Sequence, residues 1–252
     1  MHKALLTVLA ALALAFPASA TTVFPKTYTC PIGGEVFETI VLGSYSVWGH
    51  RPDGRPFGTL RWAPPAPECP GNGFLIFRDD LTPEEDITLL TPLVESAEYQ
   101  ALRQSETQHY RLWWLMRALP GSDPARFASA LLTASWHSDN DPARKTRYQR
   151  DFIAAAQAVP AESEDWFIYN LRVADAWREQ GEFDAAEARI AALNAAPDAW
   201  PAEPANLVPP RQAVERCIGD SADLSAAERD VCAKPDYVEA IAEHRAWKQA
   251  NR

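Results

Sequence analysis

The stretch Asn170-Leu171-Arg172-Val173-Ala174-Asp175-Ala176-Trp177-Arg178-Glu179-Gln180-Gly181-Glu182-Phe183-Asp184-Ala185-Ala186 decides the fold class. Gly181 divides it into two segments with apolar side chains at helical spacing. A glycine at that point ends one helix and frees the chain to begin the next. Ala174 and Ala186 are small enough for the two helices to approach closely, and Trp177 and Phe183 fill the rest of their seam. One such hairpin cannot bury its own apolar face, so the helices before it must stack against it.

Upstream, helical patterning recurs from residue 81 onward. Thr82-Pro83-Glu84-Glu85 is a capping box, with Thr as N-cap, Pro at the first helical position and Glu at the third. Further helices are predicted over 97–104, 107–119, 124–137, 142–159, 164–180 and 183–195. Asp123-Pro124 and Asp141-Pro142 pair an Asp cap with Pro at the first helical position, and Gly121 and Gly181 close the preceding helices. The spacing of Ala174, Trp177, Gly181, Phe183 and Ala186 resembles a tetratricopeptide repeat. That resemblance implies a solenoid over residues 81–196 whose concave groove takes a peptide or protein, with Leu171, Asp175, Arg178 and Glu179 facing into it. The earlier helices do not align at a fixed period of about 34 residues, and an irregular helical bundle is the alternative.

Residues 21–80 read differently. Val36-Phe37-Glu38-Thr39-Ile40-Val41-Leu42 is rich in β-branched residues, Thr59-Leu60-Arg61-Trp62 and Phe74-Leu75-Ile76-Phe77 are short apolar runs, and Gly, Pro and Asp punctuate them. These are predicted strands, with a turn at Asp53-Gly54 inside His50-Arg51-Pro52-Asp53-Gly54-Arg55-Pro56. Ala63-Pro64-Pro65-Ala66-Pro67 must be extended, because proline fixes φ and restricts the residue before it. The four cysteines, 30, 69, 217 and 232, allow three pairings. Local context favours Cys30–Cys69 and Cys217–Cys232, since each then closes its own module.

Cys30-Pro31-Ile32-Gly33-Gly34 and Cys69-Pro70-Gly71-Asn72-Gly73 each resemble half of a zinc ribbon, whose usual knuckle is Cys-Pro-x-Cys-Gly. Gly33 and Asn72 stand where the second thiolates would be. A structural Zn²⁺ needs four good ligands. We therefore expect no metal and no cofactor, and a disulfide between the surviving cysteines in place of zinc. Together the knuckles and helices resemble a bacterial family of unknown function that joins a zinc ribbon to tetratricopeptide-like helices, over residues 28–195.

Residues 197–210 carry Pro201, Pro204, Pro209 and Pro210 and read as an extended linker. Residues 211–252 read as a C-terminal helical segment stapled by Cys217–Cys232. There, Glu228-Arg229-Asp230-Val231-Cys232 with Lys234-Pro235 is similar to the cysteine modules of secreted lysozyme inhibitors. The expected fold class is thus α+β, mostly α: a small disulfide-closed β-ribbon, tetratricopeptide-like hairpins, and a disulfide-stapled helical tail.

Residues 1–20 set the expected compartment. Met1-His2-Lys3 is a positive n-region, residues 4–16 are unbroken apolar, and Ala18-Ser19-Ala20 is a small-x-small cleavage site, the pattern of a secretory signal peptide. The apolar run is shorter than the roughly 20 residues a spanning helix needs, so a periplasmic or secreted product without stable membrane insertion is expected. Of 252 residues, 47% are hydrophobic and 23% charged, which excludes disorder throughout. Loss of Lys3 with the leader leaves 23 basic against 34 acidic residues, and without a Lys/Arg cluster nucleic-acid binding is not expected.

No catalytic residue stands out. His50, His109, His137 and His244 form no HExxH pattern, and no GxSxG, P-loop or GxGxxG fingerprint occurs. His109 lies among Tyr110, Trp113, Trp114, Leu115 and Met116 and reads as a packing residue. The leading expectation is a non-enzymatic, protein-binding or scaffold protein of the bacterial envelope. The alternative is a periplasmic hydrolase or cell-wall enzyme, or a lysozyme-inhibitor-like binding protein. A pocket joining His109, His137 and acidic side chains favours the enzyme, and an open apolar groove favours the adaptor.

Overall fold

The computed structural model describes residues 21–59, 64–77, 84–121 and 123–195, and within them the chain is α+β and mostly helical. Strands β1 (Thr22–Thr29) and β2 (Val36–Ser44) pair as an antiparallel ribbon, and β3 (Val47–His50) and β4 (Pro56–Gly58) form a second, separate two-stranded sheet. The helices follow: α1 (Glu84–Val94), α2 (Ala97–Ser105), α3 (Gln108–Met116), α4 (Pro124–Trp136), α5 (Pro142–Gln157), α6 (Trp166–Glu179) and α7 (Phe183–Ala195).

The ribbon's register sorts its side chains between two faces, because residues directly opposite share a face and successive residues alternate. Tyr28 lies opposite Phe37; their rings stack at 5.8 Å, and Phe37 packs against the core. Pro25 opposite Ile40 and Thr29 opposite Val36 occupy the other face, which is exposed.

Helix boundaries follow the expected punctuation. Asp123 accepts the Ala125 N–H at 2.9 Å and Asp141 the Arg144 N–H at 3.1 Å, each one residue before a proline. Thr107 is an N-cap rather than the first residue of its helix, accepting the Tyr110 N–H at 3.4 Å. Gly181 closes α6 in the left-handed region at φ +81°.

Among the described residues, burial is organised in three patches. The first joins Cys30, Ile32, Cys69 and Phe74 to Leu90, Val94, Tyr99 and Leu115, so one core crosses the expected module boundary near residue 80. The second is built from α4, α5 and α6 around Leu131, Phe152 and Val173, with Tyr110, Trp113 and Trp136 packed on it. The third lies in the α6–α7 hairpin, where Ala174 and Ala186 are both fully buried beside Phe167 and Leu171.

One expected strand is absent. Residues 74–77 give only an isolated bridge between Leu75 and Glu68, because Phe74 and Leu75 are consumed by the core instead of pairing along an edge. The expected leader (1–20), strand residues 60–62, cap residues 82 and 83, linker (197–210) and tail with Cys217–Cys232 lie outside the described residues.

Candidate functional site

The two cysteine knuckles adopt the same hydrogen-bonded turn. Cys30 N–H donates to the Glu35 carbonyl at 2.7 Å and Gly34 N–H to Cys30 at 3.1 Å; Cys69 N–H donates to Phe74 at 2.9 Å and Gly73 N–H to Cys69 at 2.9 Å. Gly34 and Gly73 sit at φ +71° and +77°, where only glycine is unstrained. Cys30 and Cys69 are joined by a disulfide with Cα atoms 5.7 Å apart. The two remaining knuckle positions also meet: a Cβ on Gly33 would lie 3.8 Å from Asn72 Nδ2. The Asn72 amide bridges the knuckles, donating to the Ile32 carbonyl at 2.8 Å while its Oδ1 accepts the Phe74 N–H at 2.9 Å.

This arrangement does not suit zinc. Both sulfurs are spent on each other, Gly33 offers no side chain and stands at φ +92°, and the Asn72 nitrogen is already a donor. Among the described residues no group of three or more His, Cys, Asp or Glu converges to hold a metal.

The second knuckle is anchored to the helices through its carbonyls. Those of Pro70 and Gly71 accept from Arg103 at 2.9 and 3.2 Å, that of Asn72 from Gln100 at 2.8 Å, and that of Gly73 from Tyr99 Oη at 2.7 Å. Behind them Glu68 accepts from Arg111 at 2.7 Å, Arg103 at 3.0 Å and Gln108 at 2.9 Å. Burial works to raise the Glu68 carboxyl, but Arg111, Gln108 and Arg103 outweigh it and hold it below the usual carboxylate range.

A dense cluster of titratable groups lies where the β3–β4 turn meets the helices. The turn is internally closed: Arg51 N–H donates to Arg55 at 2.9 Å, Gly54 N–H to Arg51 at 2.8 Å, and Arg55 N–H to Asp53 Oδ1 at 2.9 Å. It is inserted among α4, α5 and α6. Arg51 reaches Asp139 at 2.6 Å and Glu179 at 3.5 Å, and Arg55 bonds Asp139 and, at 3.1 Å, the Trp136 carbonyl. Arg172 donates to the Pro52 carbonyl. Lys145 binds Asp139 at 3.0 Å and Glu179 at 2.8 Å from the far side. Burial opposes the charge on Arg51, but Asp53, Asp139 and Glu179 outweigh it and hold its guanidinium above its ordinary value. Burial likewise works to raise Asp139, and Arg51 and Lys145 reverse this.

This corrects the expected groove. Leu171 and Asp175 are fully buried, Arg178 nearly so, and the Glu179 side chain is only 8% exposed, so none of the four lines an open cleft among the described residues. Leu171 is core beside Ala174 and Ala186. Asp175 is paired with Arg178 at 2.7 Å, and Glu179 is taken by Lys145, Gln149 and the Arg51 guanidinium. Arg51, Arg55, Asp139 and Lys145 went unrecognised in the sequence, because the partners lie 88 and 128 residues apart.

His109 and His137 come together, their rings stacked at 4.9 Å. Burial and the facing His137 pull His109 down to about 4. Burial and Arg55 pull His137 down as well, against Asp139.

No helix among the described residues is long and apolar enough to cross a membrane. No protein-family model, curated protein or solved structure significantly matches this chain.

Proposed function

We propose that this chain is an exported, non-enzymatic protein of the bacterial cell envelope that binds another protein through the outward face of its β1–β2 ribbon. The observation that carries the reading is where large apolar side chains meet solvent. Val36, Ile40 and Val23 are 65%, 61% and 58% exposed, and paired register places them on one face with Pro25 and Leu42. The apolar part of this face runs over Val23, Pro25, Ile40 and Leu42, with Val36 beyond the Thr27–Glu38 pair, and an exposed apolar patch of this kind marks an interaction surface. The α6 residues that the tetratricopeptide resemblance offers as groove lining are buried, with Glu179 against the chain's own turn, so the available surface shifts to the ribbon. Close packing at Ala174 and Ala186 supports the repeat-like reading of α6–α7. The signal-peptide pattern of residues 1–20 and the Cys30–Cys69 disulfide support export, since such bonds persist in oxidising compartments.

The test is photo-cross-linking in intact cells from a probe residue at Ile40 or Val36, with Glu98 on α2 as control. A discrete adduct common to both ribbon positions and absent at Glu98 is the expected result; no adduct from either ribbon position overturns the reading. Intact-mass measurement of the native product should show a chain starting at Thr21.

The stacked His109–His137 pair beside Asp139 favours a second reading, a cell-wall hydrolase. Asp139 there is already bonded to Arg51, Arg55 and Lys145. A His109→Gln/His137→Gln variant that abolishes peptidoglycan cleavage by the purified protein would establish that reading.

A further inference from the structure

We propose that the charged seat formed by α4, α5, α6 and the α4–α5 connection is a binding site for an Arg-x-Asp-Gly-Arg β-turn, filled in cis by residues 51–55 and able to take the same turn from another polypeptide. The proposal goes beyond the ribbon-face reading and does not depend on it.

The seat reads the features that distinguish this turn from any other. Two guanidinium groups are demanded, because Asp139 bridges Arg51 and Arg55 while Glu179 takes a second contact from Arg51. One backbone carbonyl is read by Arg172, through Pro52. A glycine suits the turn as well: Gly54 stands at φ +87°, which strains any other residue, and it lets the Arg172 guanidinium lie close against the turn, 2.5 Å from where a Cβ would be. Lys145 and Gln149 hold Asp139 and Glu179 from behind, so the acceptors are fixed independently of the turn.

The ligand is equally prepared. Three internal hydrogen bonds close the turn without help from the helices, so a constrained peptide of the same sequence carries the same shape at little ordering cost. The hairpin that presents it is short, four residues paired with three, in a sheet separate from the β1–β2 ribbon. Release of the turn therefore leaves the ribbon's pairing intact. A cis occupant lowers apparent affinity for a competitor by the fraction of time the seat is open.

The experiment uses the full chain and a labelled, disulfide-cyclised peptide of residues 47–59. Gly54→Val releases the turn by straining its left-handed position, and Arg51→Gln/Arg55→Gln releases it by loss of charge. Release is read as accelerated hydrogen exchange over residues 50–56. Both variants should bind the peptide saturably, at least about tenfold more tightly than the wild-type chain. Binding should be lost when Glu179→Gln is added, and with a peptide whose two arginines are glutamine. Equal binding of the glutamine peptide, or no binding by a variant whose turn is released, overturns the proposal. So does continued protection of residues 50–56 in both variants, because the seat would then not be exchangeable.

Discussion

Asn72 shows how one side chain can tie two turns together. Its amide spans the two knuckles with one donated and one accepted hydrogen bond, to the Ile32 carbonyl and from the Phe74 N–H. Removing it leaves both backbone groups without that partner in a partly buried place, each costing about 1 kcal/mol or more. Asn72→Ala should therefore lower stability by about 1–3 kcal/mol. Asn72→Asp should be no better, since a carboxylate keeps the acceptor but faces the Ile32 carbonyl with another acceptor. Denaturant unfolding of the two variants checks this; wild-type stability in Asn72→Asp would show that the bond to Ile32 contributes nothing. The two similar Cys-Pro turns that carry Gly33 and Asn72 were legible in the sequence. The bridging role was not, because it depends on two turns about 40 residues apart facing each other.

At the scale of elements, the helices were legible because their start signals are local: an Asp cap followed by proline acts within one turn of chain. Strands fared worse. The ribbon's first strand contains Pro25, which reads as a break, and residues 74–77 look like a strand but are drawn into the core under α1 and α2. The disulfide brings the same distinction into a prediction. Opening the loop between Cys30 and Cys69, separated by 39 positions, costs about 4 kcal/mol in the chain-entropy picture. The two halves should not suffer equally. The second knuckle keeps its carbonyl bonds to Tyr99, Gln100 and Arg103, whereas the first is tied to the rest of the chain through the disulfide, Asn72, the Glu35 contact with the Gly71 N–H and core burial. In Cys30→Ser/Cys69→Ser, hydrogen exchange should accelerate across residues 22–44 while residues 69–74 and α2 remain protected. Uniform loss of protection over both knuckles would show instead that they fold as one unit.

Over the whole molecule, the net charge and the exclusions drawn from it come straight from counting, but the buried seam that ties the turn to the helices does not. Periodicity reports which residues face inward, not which distant charge they meet there. That explains why the α6 residues, expected to line an open groove, are buried instead. The seam and the histidine pair together predict how stability responds to acid, and they act in different windows. His109 is held down to about 4 in the fold against 6.5 when free, chiefly by burial and then by His137. Below pH 6.5 the unfolded chain takes up protons that the folded one refuses, so stability falls as pH drops and the loss is complete near pH 4. Its size is about 3 kcal/mol for His109. His137, lowered by burial and by Arg55, adds to the loss in the same direction. Asp139 and Glu68 are held below the usual carboxylate range, so their contribution is intact above that range, begins to fall only at the acid end of the histidine window, and disappears as pH falls further through their folded values. Urea unfolding at pH 7, 5.5 and 4 should therefore show a decline that His109→Gln largely removes. If His109→Gln retains the full decline, the stacked pair is not its source.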